Sequence, residues 1–370
     1  MRIIILLVSC LAITACSKVH SKMTDPNATS QTRNLYYALR IISKQGVMLG
    51  HQDDTAYGIG WWGEPDRSDV KDVAGDYPAV YGWELGGVEK SDLSNLDSVT
   101  FIQMRYLIEQ AYQRGGINTI SWHTNNISTG GNAWDVSGGN VVETLLAGGK
   151  NHQEFVTRLN RVGEFLRTLT TADGEAIPIL FRPFHEHTGN WFWWGRDFCT
   201  PEQYKTLWQQ TVVYLRDTMG LHNLIYVYSP DRVANVDEYT ERYPGNEWVD
   251  VLGLDLYHFN GADGTEYYKE CTMRSLQVVD SLAQINDKPY AFTETGLEGI
   301  TMPNWFTEVL YPAIRPYNPA YVLLWRNSIN IPGHFYAPFP GHDSCEDFKK
   351  FTIQEEVLLN GDLFQVYNVQ

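Results

Sequence analysis

The stretch Val47-Met48-Leu49-Gly50-His51-Gln52-Asp53-Asp54 decides the fold. It opens as a short apolar run and breaks at once into polar residues. Apolar side chains on both faces of such a run describe a strand of a parallel sheet covered by helices. The open, doubly wound form of that sheet carries a glycine-rich phosphate turn after its first strand. Gly50-His51-Gln52-Asp53-Asp54 is polar rather than G-x-G-x-x-G, so the closed form is expected. Seven more runs of the same kind come after it, at 79–83, 117–122, 177–181, 224–228, 251–256, 290–293 and 321–325. Segments of helical period lie between them, at 99–114, 154–170, 201–218, 267–285 and 304–314. Thr200-Pro201-Glu202 reads as an N-cap followed by proline at the first helical position, and Gly220 ends the same helix. Eight such units predict an α/β fold. It is a single (β/α)8 barrel over residues 33–370, with long loops after the strands forming an open cleft and no second domain.

Composition narrows the partners. The chain has 370 residues, 43% hydrophobic and 19% charged, which suits a folded domain with a large core. Its 44 acidic residues against 28 basic ones leave a net charge of −16, which argues against a nucleic-acid partner. Aromatic residues are abundant, and nine of the 12 Trp stand at or just after strand ends (61, 62, 83, 122, 134, 191, 193, 194, 325). Packing alone would scatter them, so most are expected at the rim of a cleft, with Trp122, Trp193 and Trp194 as its wall.

Residues 1–15 read as a targeting segment, with Arg2 before the apolar run Ile3-Ile4-Ile5-Leu6-Leu7-Val8. That run is too short for a permanent span. Ile13-Thr14-Ala15-Cys16 resembles a bacterial lipobox, in which Cys16 becomes the acylated first residue; the alternative is an ordinary signal cut near Ala15. Residues 16–32 are then a tether containing Pro26. By the same resemblance, Ser17 after the cysteine implies an outer-membrane anchor; with no acidic run over 17–22 it is expected to face the periplasm, the cell surface being the alternative. The lipid is the expected membrane contact, and a monomer is expected. Cys199, Cys271 and Cys345 allow at most one disulfide and a free thiol, and they lack zinc-site spacing.

In a barrel of this kind the site lies at the C-terminal ends of the strands. The eight runs lead into a polar, aromatic set: His51 and Asp53; Trp83 and Glu84; His123; Arg182, His185 and Glu186; Asp231 and Arg232; Asp255, Tyr257 and His258; Glu294; Trp325 and Arg326. Glu186 and Glu294, on strands four and seven, face each other across the mouth. Glycoside hydrolysis needs such a pair, and a separation of about 5–5.5 Å allows a covalent intermediate with retention. The bland alternative for either is a buried ion-pair partner of Arg182 or Arg326. His185-Glu186-His187 is not H-E-x-x-H, so no metal is expected there.

The chain resembles glycoside hydrolase family 26, chiefly β-mannanases. The resemblance is carried by Gly50-His51-Gln52-Asp53-Asp54, by the loop running from Gly130-Gly131-Asn132-Ala133-Trp134-Asp135 to Gly148-Gly149-Lys150-Asn151-His152, and by the segment 182–195. Asp255-Leu256-Tyr257, Thr293-Glu294-Thr295-Gly296 and Trp325-Arg326-Asn327 complete it. It implies Glu186 as acid/base and Glu294 as nucleophile, acting on β-mannan polysaccharide or manno-oligosaccharides without a cofactor. It also implies that His123 and His185 line the subsite of the scissile sugar, and that Trp191 and Trp325 stack on sugar faces. Asp255, Tyr257 and Arg326 belong to the same substrate-binding set, with Asp255 expected to orient its neighbours by hydrogen bonding, and the mannan preference rests on the loops of Trp134 and Trp191. Glu186 should have a raised pKa, and Glu294 should stay ionised beside Tyr257 and nearby arginine charge. A β-glucanase or β-xylanase of the same family, or a non-catalytic glycan binder, are the alternatives.

Overall fold

The opening stretch forms strand β1, Val47–Gln52, in a computed structural model that describes residues 23–368. The expected signal segment, Cys16 and residues 17–22 lie outside the described residues. Seven more barrel strands complete the ring: β2 (Val80–Glu84), β3 (Ile117–Trp122), β4 (Ile179–Pro183), β5 (Leu224–Tyr228), β6 (Val251–Leu252), β7 (Phe292–Thr295) and β8 (Tyr321–Leu324). All neighbouring pairs are parallel, running in the order β6-β5-β4-β3-β2-β1-β8-β7. Parallel bridges Leu252↔Tyr290, Asp255↔Glu294 and His258↔Leu297 join the two ends and close the barrel. Each strand falls within two residues of its expected start, because buried parallel strands read as plain apolar runs.

Two apolar clusters hold this ring. Met48, Val80, Leu180, Ile225, Val251 and Leu323 belong to one of them, together with Leu35, Tyr36 and Leu39 of helix α1 (Ser30–Ile42). The larger cluster joins the sheet to the surrounding helices α2 (Phe101–Gln113), α3 (His152–Arg167), α4 (Pro201–Val213) and α5 (Gly261–Asn286). The cap read at Thr200 is a full capping box, with the Gln203 side chain returning to the Thr200 backbone N–H.

One expectation changes. Residues 23–32, assigned to a tether by their polarity, are built into the barrel: the Thr24 backbone N–H donates to Asp250 Oδ1 at 2.6 Å, and Asp25 meets His222 at 2.8 Å. Ala28 and Met23 are buried. Cys199, Cys271 and Cys345 are all free thiols. Among the described residues no helix is long and apolar enough to cross a membrane.

Candidate active site

A cavity of about 620 Å³ opens at the C-terminal ends of the strands, and Glu186, Glu294, His123, Trp134, Trp191, Tyr257 and Trp325 all line it. Glu294 sits within β7, so the barrel itself aims it. The Arg182 guanidinium, from β4, donates to its Oε1, and the Tyr257 hydroxyl donates to its Oε2 at 2.8 Å. Arg182 is held in turn by Asp255 at 2.9 Å, and Asp255 also accepts from Ser229 at 2.9 Å and Thr293 at 2.6 Å. Two donors therefore converge on Glu294 and partner its negative charge.

Glu186 is presented differently. It comes after β4 in a turn where both Phe184 (φ 50°) and Glu186 (φ 52°) adopt the left-handed region, which is costly for residues with a side chain. Hydrogen bonds lock the turn: Glu186 N–H to Ser229 O at 2.8 Å, Tyr204 Oη to Phe184 O at 2.9 Å, and Trp194 Nε1 to His185 O at 2.8 Å. Trp191 Nε1 donates to Glu186 Oε2 at 2.6 Å. A Cβ on Gly189 would come within 2.3 Å of the Trp191 ring, so only glycine lets the indole fold back over the turn. Burial pushes the Glu186 carboxyl well above the usual range, and the charges of Glu294, Asp255 and Asp231 push the same way against the Trp191 hydrogen bond.

The residues flanking Glu186 diverge. His185 Nε2 lies 3.1 Å from His123 Nε2 and 3.9 Å from Glu294 Oε1. His187 is buried away from the cleft between Tyr204 and Tyr228, with ring centroids 4.4 and 4.7 Å away. Burial, the Arg182 charge and the His123 charge keep His185 neutral. Burial depresses His123 too, but the Glu84 charge and hydrogen bond outweigh it and raise its pKa. His123 Nδ1 lies 2.7 Å from Glu84 Oε2, whose carboxylate also accepts from Ser121 at 2.7 Å. These directions make His123 the donor to His185.

Two residues of the expected substrate-binding set lie behind the cleft surface, and a third lies beside it. Asp255 is fully buried and holds Arg182, so it acts through its neighbours. His185 is equally buried. Arg326 pairs with buried Asp97 at 2.8 Å and lines a small hollow beside the main cleft with Tyr57 and Trp62. His258 turns away, taking the Trp305 indole N–H on Nδ1 at 2.9 Å. The aromatic rim is smaller than its count suggested. Trp61 and Trp83 are buried like Trp122, Trp193 and Trp194, bonding Asp69 at 2.7 Å and Asn118 at 2.8 Å. Trp134, Trp191 and Trp325 remain at the main cleft. Tyr336, Asp97 and the support given by Glu84 escaped the sequence reading, since nothing local marks them.

This geometry is matched by kinship. The model of glycosyl hydrolase family 26 matches residues 24–295. The chain belongs to glycosyl hydrolase family 26. A mannan endo-1,4-β-mannosidase of Bifidobacterium adolescentis is 33% identical over 91% of this chain, which spans 35% of that protein's length. Another from Bacillus subtilis is 30% identical over 91% of this chain and 89% of its own. Among solved structures, a family 26 β-mannanase from Bacteroides ovatus superposes with a TM-score of 0.90 and 45% identity, covering 92% of this chain and 98% of that one. The chain is thus a glycoside hydrolase on a (β/α)8 barrel.

Proposed function

We propose that this hydrolase is a retaining β-mannanase that cleaves β-1,4-mannosidic linkages in mannan or manno-oligosaccharides, with Glu294 as nucleophile and Glu186 as acid/base. The observation that carries it is the contrast between two buried carboxyl groups: one driven toward its protonated form, the other bound by a guanidinium and a phenol. In the first step Glu294 attacks the anomeric carbon while the Glu186 proton passes to the departing glycosidic oxygen. In the second, ionised Glu186 takes a proton from water, which attacks the anomeric carbon and frees Glu294. Both steps use only these side chains and water. Trp134, Trp191 and Trp325 offer faces for uncharged pyranose rings beside the pair. The relatives from Bifidobacterium, Bacillus and Bacteroides favour mannan over other β-1,4 glycans.

Mannan, glucomannan, xylan and mixed-linkage β-glucan, each incubated with the protein, should separate the readings. Reducing ends are expected from the first two. Release from xylan alone would make it a xylanase, and no release from any would leave a glycan binder.

The protein is also proposed to work as a monomer anchored by lipid on Cys16 in the outer membrane, facing the periplasm. The lipobox-like Ile13-Thr14-Ala15-Cys16 supports the anchor. Cys16→Ser should release the protein from the membrane fraction, and protease added to intact cells should spare the wild type.

A further inference from the structure

A separate cavity of about 490 Å³ lies between helix α1 and the C-terminal segment, lined by Ile41, Ile42, Leu358, Leu363, Phe364 and Val366. Its place is the end of the barrel opposite the cleft. The short strand Val357–Leu358 pairs parallel with β1 at Val47 and Met48, where β1 begins. Leu35, Tyr36 and Leu39 of α1 share a cluster with Val80, Ile117, Val251 and Tyr321, the first residues of β2, β3, β6 and β8. Phe364 is 85% exposed and Ile41 45% exposed. A lone exposed apolar side chain needs no explanation. Two of them on one apolar groove mark a surface that a partner or a membrane covers. The acidic residue of the groove, Asp362, is turned back onto the Leu359 N–H at 2.9 Å, while Lys44 stands exposed beside Gln45 of its rim.

The chain enters the fold at this same end. Met23 is buried in the cluster that contains Leu39 and Val366, and Thr24 N–H bonds Asp250, the residue before β6. Cys16 stands seven residues before Met23, and seven residues reach at most about 25 Å. β1 alone rises about 20 Å over its six residues, and the cleft lies past the far ends of the strands. A lipid on Cys16 therefore keeps the strand starts nearest the bilayer and turns the cleft away from it. We infer that this groove is the membrane-facing surface of the protein. Acyl chains of the leaflet that holds the anchor seat between α1 and residues 358–368, with Phe364 and Ile41 entering the acyl boundary. Lys18 and Lys22, with no acidic residue over 17–22, add positive charge for the lipid phosphates, as does Lys44. This rests on the Cys16 anchor proposed above, and it leaves the cleft open to polysaccharide arriving from the aqueous side.

Hydrogen exchange tests it, comparing the full-length anchored protein in vesicles of phosphatidylethanolamine and phosphatidylglycerol with Cys16→Ser in solution. Amides over 359–368 are expected to exchange at least about tenfold more slowly on the vesicles. Amides of the cleft loops over 124–140 and 328–342 should exchange equally in both forms. Phe364→Asp with Ile41→Asp should abolish the slowing while the anchored protein still floats with the vesicles. Both side chains are exposed, so the fold should survive, and an unchanged melting temperature checks that. Equal exchange over 359–368 in the anchored and soluble forms overturns the docking. So does slowing that survives the double substitution, or slowing at the cleft loops instead. Slowing in Cys16→Ser that grows with protein concentration assigns the groove to a second copy and overturns it as well. A wild type that fails to float with the vesicles overturns the Cys16 anchor, and the bilayer as occupant falls with it.

Discussion

Glu294 and Glu186 carry the same carboxyl group into one cleft, and the chain surrounds them with opposite partners. Around Glu294 the wall is a strand, a guanidinium anchored by Asp255, and a phenol. Around Glu186 it is a left-handed turn, an indole and three further carboxylates acting at a distance. Placement of one cation therefore divides the labour: Arg182 bonds Glu294 and leaves Glu186 to burial. The largest test of that contrast is Glu294→Ala, expected to cut kcat by at least about 10⁴-fold on every substrate, since a lost nucleophile has no substitute. Glu186→Ala should cost about 10²–10⁴-fold on mannan, the usual worth of general acid catalysis. Its first step should be nearly intact on an aryl β-mannoside with a good leaving group. Stopped-flow release of the phenol measures this, and a burst absent from Glu186→Ala would break the assignment.

Tyr257→Phe tests the Glu294 wall more gently. It removes one hydrogen bond to a charged group, about 1.5–3 kcal/mol, and kcat should fall by about tenfold to a hundredfold. Melting temperature should barely move, because Tyr257 is half-buried and the ring remains. A fall in stability with kcat preserved would make the phenol a packing group.

How much of this was legible depends on the distance over which a residue acts. The strands could be read because each is a local apolar run, and the glutamates because Phe181-Arg182-Pro183-Phe184-His185-Glu186 and Thr293-Glu294-Thr295-Gly296 are local motifs. Glu84 supports His123 from 39 positions away, and Asp97 holds Arg326 across more than half the length of the chain. A carboxylate buried for a distant partner looks, in sequence, like any surface aspartate or glutamate. Trp61 and Trp83 failed for a related reason: position at a strand end is visible, but the direction of the indole is not. The polarity of residues 23–32 misleads because it is spent on partners within the fold, Asp250 and His222, rather than on water.

The finest test sets the two neighbours of Glu186 against each other. Burial pushes the Asp231 carboxyl up to about 6, so it is charged above about pH 6, and that charge raises the Glu186 pKa. Asp231→Asn removes a negative charge, so Glu186 ionises more easily and the basic limb of kcat/KM against pH moves to lower pH. Trp191 acts in the other direction, since its N–H stabilises the ionised carboxylate. Trp191→Phe keeps an aromatic face and loses that donor, so the basic limb moves to higher pH. Opposite displacements identify Glu186 as the group that sets the limb. Displacement in the same direction, or none in either variant, would assign the limb to another group, with His123 the first to examine because its pKa is raised by Glu84.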